Sequence, residues 1–426
     1  MNSIKLTPKS EVKGVICAPY SKSYAQRAIA IASLSKSPTK IIGLNGKLDN
    51  DTKAAIETVT KLGGEIELNP ESLLVKKGVN LSDKLEFKIN IGESGLSSRV
   101  FSCFSLLTKS IFYITGKGSL MKRPMQMVIQ ALEKKGKKVH AKNDFLPLKI
   151  QGKCNQNTIV IDSSDGSQIL SGLLITMPLL PFNNKIIVKN LVSIPYIEMT
   201  LSILKDFGIS VSHKNYSNFQ IWGNQFPKLE TYSIEGDWSS ISFFAVAAAI
   251  CGDLVINNLD PCSKQADSEI IKILQKVGTN VCWLKGQKLS ITKHELKSFS
   301  CDLTNQPDLF PCLIILAIFC TGTSHLTGLK RLKNKESDRA KSMAIELKKI
   351  NINIELNYSE NEIIIVGDPN LIVKKKQYFD SHNDHRIAMA LSLLIYRSQE
   401  PIVISNHTSV NKSYPSFFEE LNAVSL

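Results

Sequence analysis

Nine cysteines are spread over the 426-residue chain, yet no two of them form a CxxC pair. An odd number without that spacing argues against a disulfide framework and against a thiolate zinc site. Cys103, Cys282, Cys312 and Cys320 lie in apolar runs that suit buried, reduced thiols, so a reducing, cytoplasmic compartment is expected. Neither GxxxxGK[ST] nor GxGxxG occurs, which removes two glycine-loop devices for binding nucleotides. Long apolar runs are also missing. Even Cys312 to Cys320 falls short of the roughly 18 residues that a membrane span needs, and the opening MNSIKLTPKS has no apolar signal core. His382 and His385 are three apart, but no cysteine or further histidine lies near them in sequence to complete a zinc set, so no metal is expected.

What remains is the composition of a globular protein long enough for two domains of roughly 200 residues each. Acid is the scarcer charge. The 52 lysines and arginines exceed the 38 aspartates and glutamates by 52 − 38, or +14, which points to an anionic partner and leaves open whether it is a polyanion or a small phosphorylated molecule.

The position of the cations narrows that choice. In PYSKSYAQRAIAIASL, Pro19 to Leu34, Lys22, Ser23 and Arg27 stand at the front of an Ala-rich helix. A helix N-terminus carries about half a positive charge, so cations are repelled there unless an anion uses both them and the free backbone N–H groups. Ser23 and Arg27 are four apart and share a helix face. In the competing reading, Ser21 or Ser23 is only an N-cap and the cations are solvated.

The pattern recurs. Apolar helices that open on a Gly, Ser or Asp turn appear as SKSYAQRAIAIA, GESGLSSRVFSCF, DGSQILSGLLIT, GDWSSISFFAVAAAI, QPDLFPCLIILAIF and NDHRIAMALSLLI. With Ser23, Gly95, Ser167, Ser239, Asp308 and His385 as markers the steps are 72, 72, 72, 69 and 77, which indicates one unit copied six times. A second, amphipathic series, mostly ending in Gly, alternates with it, and each of its helices follows a short β-rich segment such as TKIIGL, NKIIVKNL or PIVISN. The first series should be buried and the second should face water on one side. Six units divide three and three near Gly236, giving one lobe of 19–235 and another of 1–18 plus 236–426, with a short N-terminal strand, Ile4 to Ile16, pairing into the second. A cleft between such lobes is the expected ligand site.

Further cations sit near helix starts: Arg99, Arg123, Lys335, Arg339, Arg386 and Lys412, with His385 beside them. So many at matching places in internal repeats favour an anion site over solvated surface charge. Among them stand two acids. Asp308 in NQPDLF and Glu336 next to Lys335 are candidates for an acid and a base beside a charged substrate, whereas Asp237 in EGDWSS reads as a helix cap.

The ordered set SKSxxxR, GxSGxxxR, KRP, GSQ, VSxPYI, EGDxSS, PD, KESDR, NDHRxAM and NKSYP, covering nearly the whole chain, resembles the 5-enolpyruvylshikimate-3-phosphate synthase family of enolpyruvyl transferases. The resemblance implies an α/β (α+β) fold, a two-lobed, inside-out barrel-like arrangement of six βαβαββ-type repeats, three per lobe. It implies transfer of the carboxyvinyl group of phosphoenolpyruvate to the 5-hydroxyl of shikimate 3-phosphate on the route to chorismate and the aromatic amino acids. No cofactor or metal is implied, and the partners are small molecules only, with no nucleic acid, no membrane and a monomeric chain. By motif, Lys22, Ser23, Arg27, Ser167, Gln168, Ser193, Tyr196, Asp308 and Lys335 would meet shikimate 3-phosphate. Lys22, Gly95, Arg123, Gln168, Arg339, Arg386 and Lys412 would meet phosphoenolpyruvate, and Arg99 and His385 would support them. Asp308 would accept the proton of the 5-hydroxyl, Glu336 would protonate the methylene carbon, and Lys22 would act with them.

The chain departs from the commoner family pattern at Tyr20, Glu93, Leu96, Gly166 and Arg331. The sister enzyme that acts on UDP-N-acetylglucosamine shares the fold, but SKSYAQR, KESDR and NDHR fit the shikimate enzyme better, and no cysteine in the third-unit loops obviously plays its reactive thiol. A basic polyanion or nucleic-acid binder would interleave cations with exposed aromatics along a stripe, unlike the placement seen here.

Overall fold

A computed structural model describes residues 2–82 and 84–426. Its α-helices, in chain order, are α1 (Lys22–Ala32), α2 (Asn50–Lys61), α3 (Gly95–Phe104), α4 (Gln126–Lys134), α5 (Gln168–Thr176), α6 (Ile194–Asp206), α7 (Trp238–Cys251), α8 (Ile270–Val277), α9 (Phe310–Ile318), α10 (Arg339–Lys348), α11 (His385–Ser392) and α12 (Phe417–Ala423). The odd-numbered helices are the apolar series. In α7 every residue except Ser239 is buried, and in α9 every residue is buried. The even-numbered helices carry one apolar stripe. In α8 it is Ile270, Ile273, Leu274 and Val277, at helical spacing, and Gly278 ends the helix in the left-handed conformation that glycine adopts without penalty.

Among the described residues the strands form six small sheets built to one plan. In the second repeat Glu86–Asn90 runs parallel to Ile111–Thr115 on either side of α3, as a βαβ crossover requires. After α4, Lys138–Lys142 and Phe145–Gln151 form a hairpin whose second strand lies antiparallel against Ile111–Thr115. Its turn is Asn143–Asp144, both left-handed, which matches the twist of the flanking strands. Leu146, Leu148 and Ile150 alternate into the core. Five sheets have four strands in this order; the sixth has three, Gln377–Asp380, Ile402–Ser405 and Ser3–Leu6. The class is α/β, and the sheets remain separate rather than closing into a barrel.

The chain divides into two compact units, Tyr20–Ile234 and Met1–Pro19 with Glu235–Leu426. The first has a core made by α1, α3, α5 and its three sheets, the second a core made by α7, α9, α11 and the other three. Each unit recruits a strand from a distant part of its own chain. Thr231–Ser233 pairs with Thr39–Ile42 in the first, and Lys13–Cys17 with Asp253–Asn257 in the second. The N-terminal segment thus holds two strands where one was expected, because Pro8 lies between them and cannot donate to a ladder. Cys103, Cys312 and Cys320 are buried, but Cys282 is exposed. It lies on the edge strand Asn280–Leu284, of which only Val281 is half-buried, so its apolar neighbours are themselves exposed and do not enclose it.

Close packing of the buried helices depends on Gly172 of α5, where an added Cβ would lie 2.9 Å from Arg99 O and Cys103 Sγ and 3.0 Å from Val100 Cα of α3. Gly172→Ala is therefore expected to push α5 off α3 and to lower stability by about 1–3 kcal/mol, read as a shift of the urea unfolding midpoint.

Candidate active site

In four repeats the start of the apolar helix meets the segment that opens the amphipathic helix after it, and in the third repeat the contact lies further along both helices. Lys22 Nζ lies 3.0 Å from Asp51 Oδ2 on α2. Gly95 leaves room for the Arg123 guanidinium: a Cβ there would lie 2.5 Å from Arg123 Nη1. Thr200 of α6 donates to Ser171 Oγ of α5 at 3.0 Å, Ser239 Oγ donates to Asp267, and Arg339 Nη1 donates to Asp308 Oδ1 at 2.6 Å. One local design, repeated, gathers chemistry-bearing residues at the same end of each repeat.

In the first unit, α1 begins at Lys22, and its N-cap Ser21 makes no capping bond; the Ser21 hydroxyl is buried without a partner. The simple N-cap reading of Ser21 therefore fails. Arg27 is 1 % exposed, and its hydrogen bonds all go to neutral oxygens: Thr200 Oγ1 at 2.8 Å, Ser23 O at 3.0 Å, Tyr196 O at 3.4 Å and Ser171 Oγ at 3.5 Å. Burial pulls this guanidinium down to about 10. A buried cation without a carboxylate is costly unless something anionic completes its surroundings. Arg27 meets the carbonyl of Ser23 rather than its hydroxyl, so their shared face is closed by a backbone contact. Ser167 stands just before α5 without a capping bond and is 3 % exposed, Gln168 is the first residue of that helix, and Ser193, left-handed, stands just before α6, also without a capping bond, two residues before Pro195 and three before Tyr196. Arg99 Nη2 donates to Pro124 O at 2.9 Å and so fastens the residue that follows Arg123.

Lys22 is framed by two aspartates that the sequence pattern did not single out. Besides Asp51, Asp49 caps α2 by accepting from Thr52 N at 2.9 Å, and it takes the Tyr20 hydroxyl at 2.5 Å and the Thr52 hydroxyl at 2.6 Å. Burial raises the Asp49 carboxyl to about 6, against the pull of Lys22. Tyr20 is thus a buried hydroxyl partner for the cap.

The second unit holds the denser cluster. Arg339, 1 % exposed, binds three carboxylates: Asp308 through Nη1 at 2.6 Å, Glu336 through Nη2 at 2.8 Å and Asp384 through Nε at 2.8 Å. Asp308 also receives Arg386 Nη2 at 3.2 Å and has Lys335 Nζ 3.6 Å away. Burial would raise the Asp308 carboxyl, but Arg386, Lys335 and Arg339 outweigh it and hold it well below the usual carboxylate range. Burial brings Lys335 down to about 8 even with Asp308 beside it. Asp267, buried and close enough to Asp308 to feel its charge, goes the other way: burial, then repulsion from Asp308, lifts it to about 7. His385 is buried at the first position of α11, 3.8 Å from Asp384, and Lys412 is buried at the end of the turn His407–Lys412.

Asp237 caps α7 by accepting from Ser240 N at 2.7 Å, as read from the sequence. Arg331 donates to Thr304 O at 3.3 Å and repels the charge of Lys335, which places its cation beside the cluster. Glu93 accepts from Ser119 N and Oγ at 3.0 and 2.9 Å, and Leu96 is buried in the apolar core. Sequence reasoning missed Asp49, Asp51, Asp267 and Asp384. The available signal was an acid at the start of the second or next helix of a repeat, 28 or 29 residues beyond the first helix start for Asp51 and Asp267. Among the described residues no group of three or more His, Cys, Asp or Glu is placed to hold a metal, and no helix is long and apolar enough to cross a membrane.

Comparison with known proteins matches residues 6–421 to the family model of EPSP synthase, 3-phosphoshikimate 1-carboxyvinyltransferase. The chain belongs to the EPSP synthase family. Among curated relatives, the 3-phosphoshikimate 1-carboxyvinyltransferase of Clostridium novyi is 35% identical, with 100% of this chain and 98% of that protein aligned. That of Clostridioides difficile is 33% identical over 99% of this chain and 97% of its own. Among solved structures, EPSP synthase from Acinetobacter baumannii superposes with a TM-score of 0.81 at 25% identity, covering 100% of this chain and 99% of that one. The enolpyruvyl transferase NikO from Streptomyces tendae, at 13% identity, shares the fold with a TM-score of 0.77, covering 100% of this chain and 98% of that one.

The buried Asp49 carboxyl of this EPSP synthase family member gives a signed pH effect. Its folded value of about 6 lies above the ordinary 3.8, so the folded protein binds that proton more tightly than the unfolded chain. Its stabilising share is complete below about 4 and is lost as pH rises through about 6. Asp49→Asn keeps the cap and removes the titration. Between about pH 4 and pH 7 the wild type should lose about 3 kcal/mol relative to that variant, measured by urea unfolding at each pH.

Proposed function

We propose that this protein transfers the carboxyvinyl group of phosphoenolpyruvate to the 5-hydroxyl of shikimate 3-phosphate and releases phosphate, in the route to chorismate and the aromatic amino acids. The observation that carries the reading is Asp308, a carboxylate gripped by Arg339, Arg386 and Lys335 with a second carboxylate, Glu336, on the same arginine. Lys22, Ser23, Arg27, Ser167, Gln168, Ser193, Tyr196 and Lys335 are assigned to shikimate 3-phosphate. Lys22, Gly95, Arg123, Gln168, Arg339, Arg386 and Lys412 are assigned to phosphoenolpyruvate. In this reading the protein acts on small molecules alone, as a monomer in the cytoplasm, without nucleic acid.

The chemistry follows from the charges. The 5-oxygen attacks C2 of phosphoenolpyruvate and gives its proton to Asp308, while Glu336 protonates the methylene carbon, so the double bond becomes a tetrahedral centre bearing a methyl group. The C–O bond to phosphate then breaks, the proton held by Asp308 leaving with the phosphate, and the methyl group returns a proton to Glu336 as the new vinyl ether forms. Without substrate, Asp308 is too weak a base for its part, because three cations stabilise its charge. The phosphate and carboxylate of phosphoenolpyruvate offer the two arginines more charge than Asp308 does, and shikimate 3-phosphate offers the same to Lys335. As the arginines and the lysine turn to the ligand, Asp308 regains proton affinity at the point in the cycle where it is needed. Arg27 supports the same reading from the first unit, as a buried cation provided only with neutral partners.

The direct test is phosphate release from phosphoenolpyruvate with shikimate 3-phosphate, side by side with UDP-N-acetylglucosamine; turnover is expected with the first only. Asp308→Asn and Glu336→Gln keep size and hydrogen bonding but remove proton transfer. Each should lower kcat by about a hundredfold to ten-thousandfold while shikimate 3-phosphate affinity changes little. Near-normal turnover in either variant would remove that residue from the proton path.

A further inference from the structure

The turn that leads into α11 contains two successive non-glycine residues in the left-handed region, His382 at φ 52° and Asn383 at φ 55°. Residues held there are strained and persist only where their surroundings hold them. Here the holding group is Glu346 of α10, a carboxylate with 1 % of its side chain exposed. Its Oε1 lies 2.9 Å from His382 Nε2, and its Oε2 accepts from Asp380 N at 2.9 Å and from Lys349 Nζ at 2.6 Å. Asp380 Oδ1 in turn accepts from His382 N at 2.8 Å and from Asn406 Nδ2 at 3.2 Å. The turn closes with Asp384 N donating to Ser381 O at 2.9 Å.

What the turn delivers is Asp384. One of its oxygens accepts from Arg386 N at 2.9 Å and the other from Arg339 Nε at 2.8 Å. A continuous set of contacts therefore runs from the His382 imidazole through Glu346 and the strained turn to two arginines of the cluster. We propose that His382 is a positioning residue: paired as a cation with Glu346 it pins the left-handed turn, and through Asp384 it places Arg339 and Arg386 for the anion they bind. The link to phosphoenolpyruvate rests on the assignment of those two arginines made above.

The charged groups that face the imidazole are Glu346 and Lys349 from α10 and Asp380 from the strand Gln377–Asp380. The hydrogen bond that the imidazole donates to Glu346 raises it above its ordinary 6.5, against burial and Lys349. A raised histidine contributes its pairing fully below the ordinary value and loses it as pH rises through the raised one. Loosening of the turn therefore belongs on the alkaline side.

The test uses the full chain and three proteins: wild type, His382→Gln, which keeps an N–H donor that does not titrate, and His382→Ala. Two readouts are followed from about pH 6 to about pH 9. The first is protection of the Asp384 and Arg386 amides against hydrogen exchange, without substrate. The second is KM for phosphoenolpyruvate alongside kcat. In wild type, protection should fall and KM should rise roughly five- to tenfold across the histidine transition, the difference between a charge-assisted and a neutral hydrogen bond, with kcat changing less. His382→Gln should show neither transition. His382→Ala should have the higher KM already at the acid end, which the Gln variant rescues. Ionisation of the substrate affects all three alike. A fall in protection in wild type alone, with KM unmoved, upholds the pinning and removes phosphoenolpyruvate from the two arginines. Protection profiles that are the same in wild type and His382→Gln overturn the proposal, whatever KM does.

Discussion

One guanidinium carries much of the second unit's site. Arg339 reaches Asp308 from the segment before α9, Glu336 from the segment before its own helix and Asp384 from the cap of α11, so three chain segments distant in sequence are tied at a single planar group. Only an arginine offers donors fanned out from a rigid plane for this; a lysine would present a single ammonium point to all three carboxylates. The arrangement is nearly neutral locally, which is why so many charges tolerate burial. Its neutrality is also provisional. Each acid is held by a cation that a doubly charged anion could compete for, so the resting cluster and the working cluster need different partners from the same side chains.

The first unit handles charge in a different way. Arg27 has oxygens but no carboxylate, and Lys22 is framed by Asp51 and by Asp49, the second of which burial lifts toward neutrality. Arg27 is therefore surrounded by neutral oxygens where Arg339 is surrounded by carboxylates. Both solutions are variants of a single repeat geometry, in which the first turn of a buried helix faces the first turn of the helix after it. Recurrence of that geometry supplied places for charge, and the residue at each place was free to differ: Lys22, Gly95 and Ser239 occupy related positions with unrelated chemistry.

The repeat itself was legible in the sequence, because helix periodicity and near-constant spacing survive even where residue identity does not. So were Lys22 and Arg386, whose positive charge is out of place at the start of an apolar helix, and Arg339 and Asp308, a cation at the start of an amphipathic helix and an acid among such cations. The partners were not legible. Asp49 and Asp384 look like ordinary caps and Asp51 and Asp267 like ordinary first-turn acids, since Asp is favoured at those positions for backbone reasons alone, and nothing local says that the carboxylate has another use. Cys282 misled because an apolar run of three or four residues reads the same on an edge strand as in a core. Tyr20 stood out only as a departure, and its part in fastening Asp49 depends on a contact between residues 29 apart.

The strand exchange at the chain's two ends bears on how the molecule is made. Tyr20–Ile234 carries every strand of its three sheets within itself, so it can be completed as soon as it leaves the ribosome. The segment before it has to wait. Lys13–Cys17 finds its partner only at Asp253–Asn257, and Leu6 pairs with Ile402, so at synthesis rates of about 5 to 20 residues per second the first strand stays unpaired for roughly 20 to 80 s. A short, lysine-bearing, proline-interrupted leader suits that interval, because it offers little to an unrelated strand edge while the rest of its unit is still being translated.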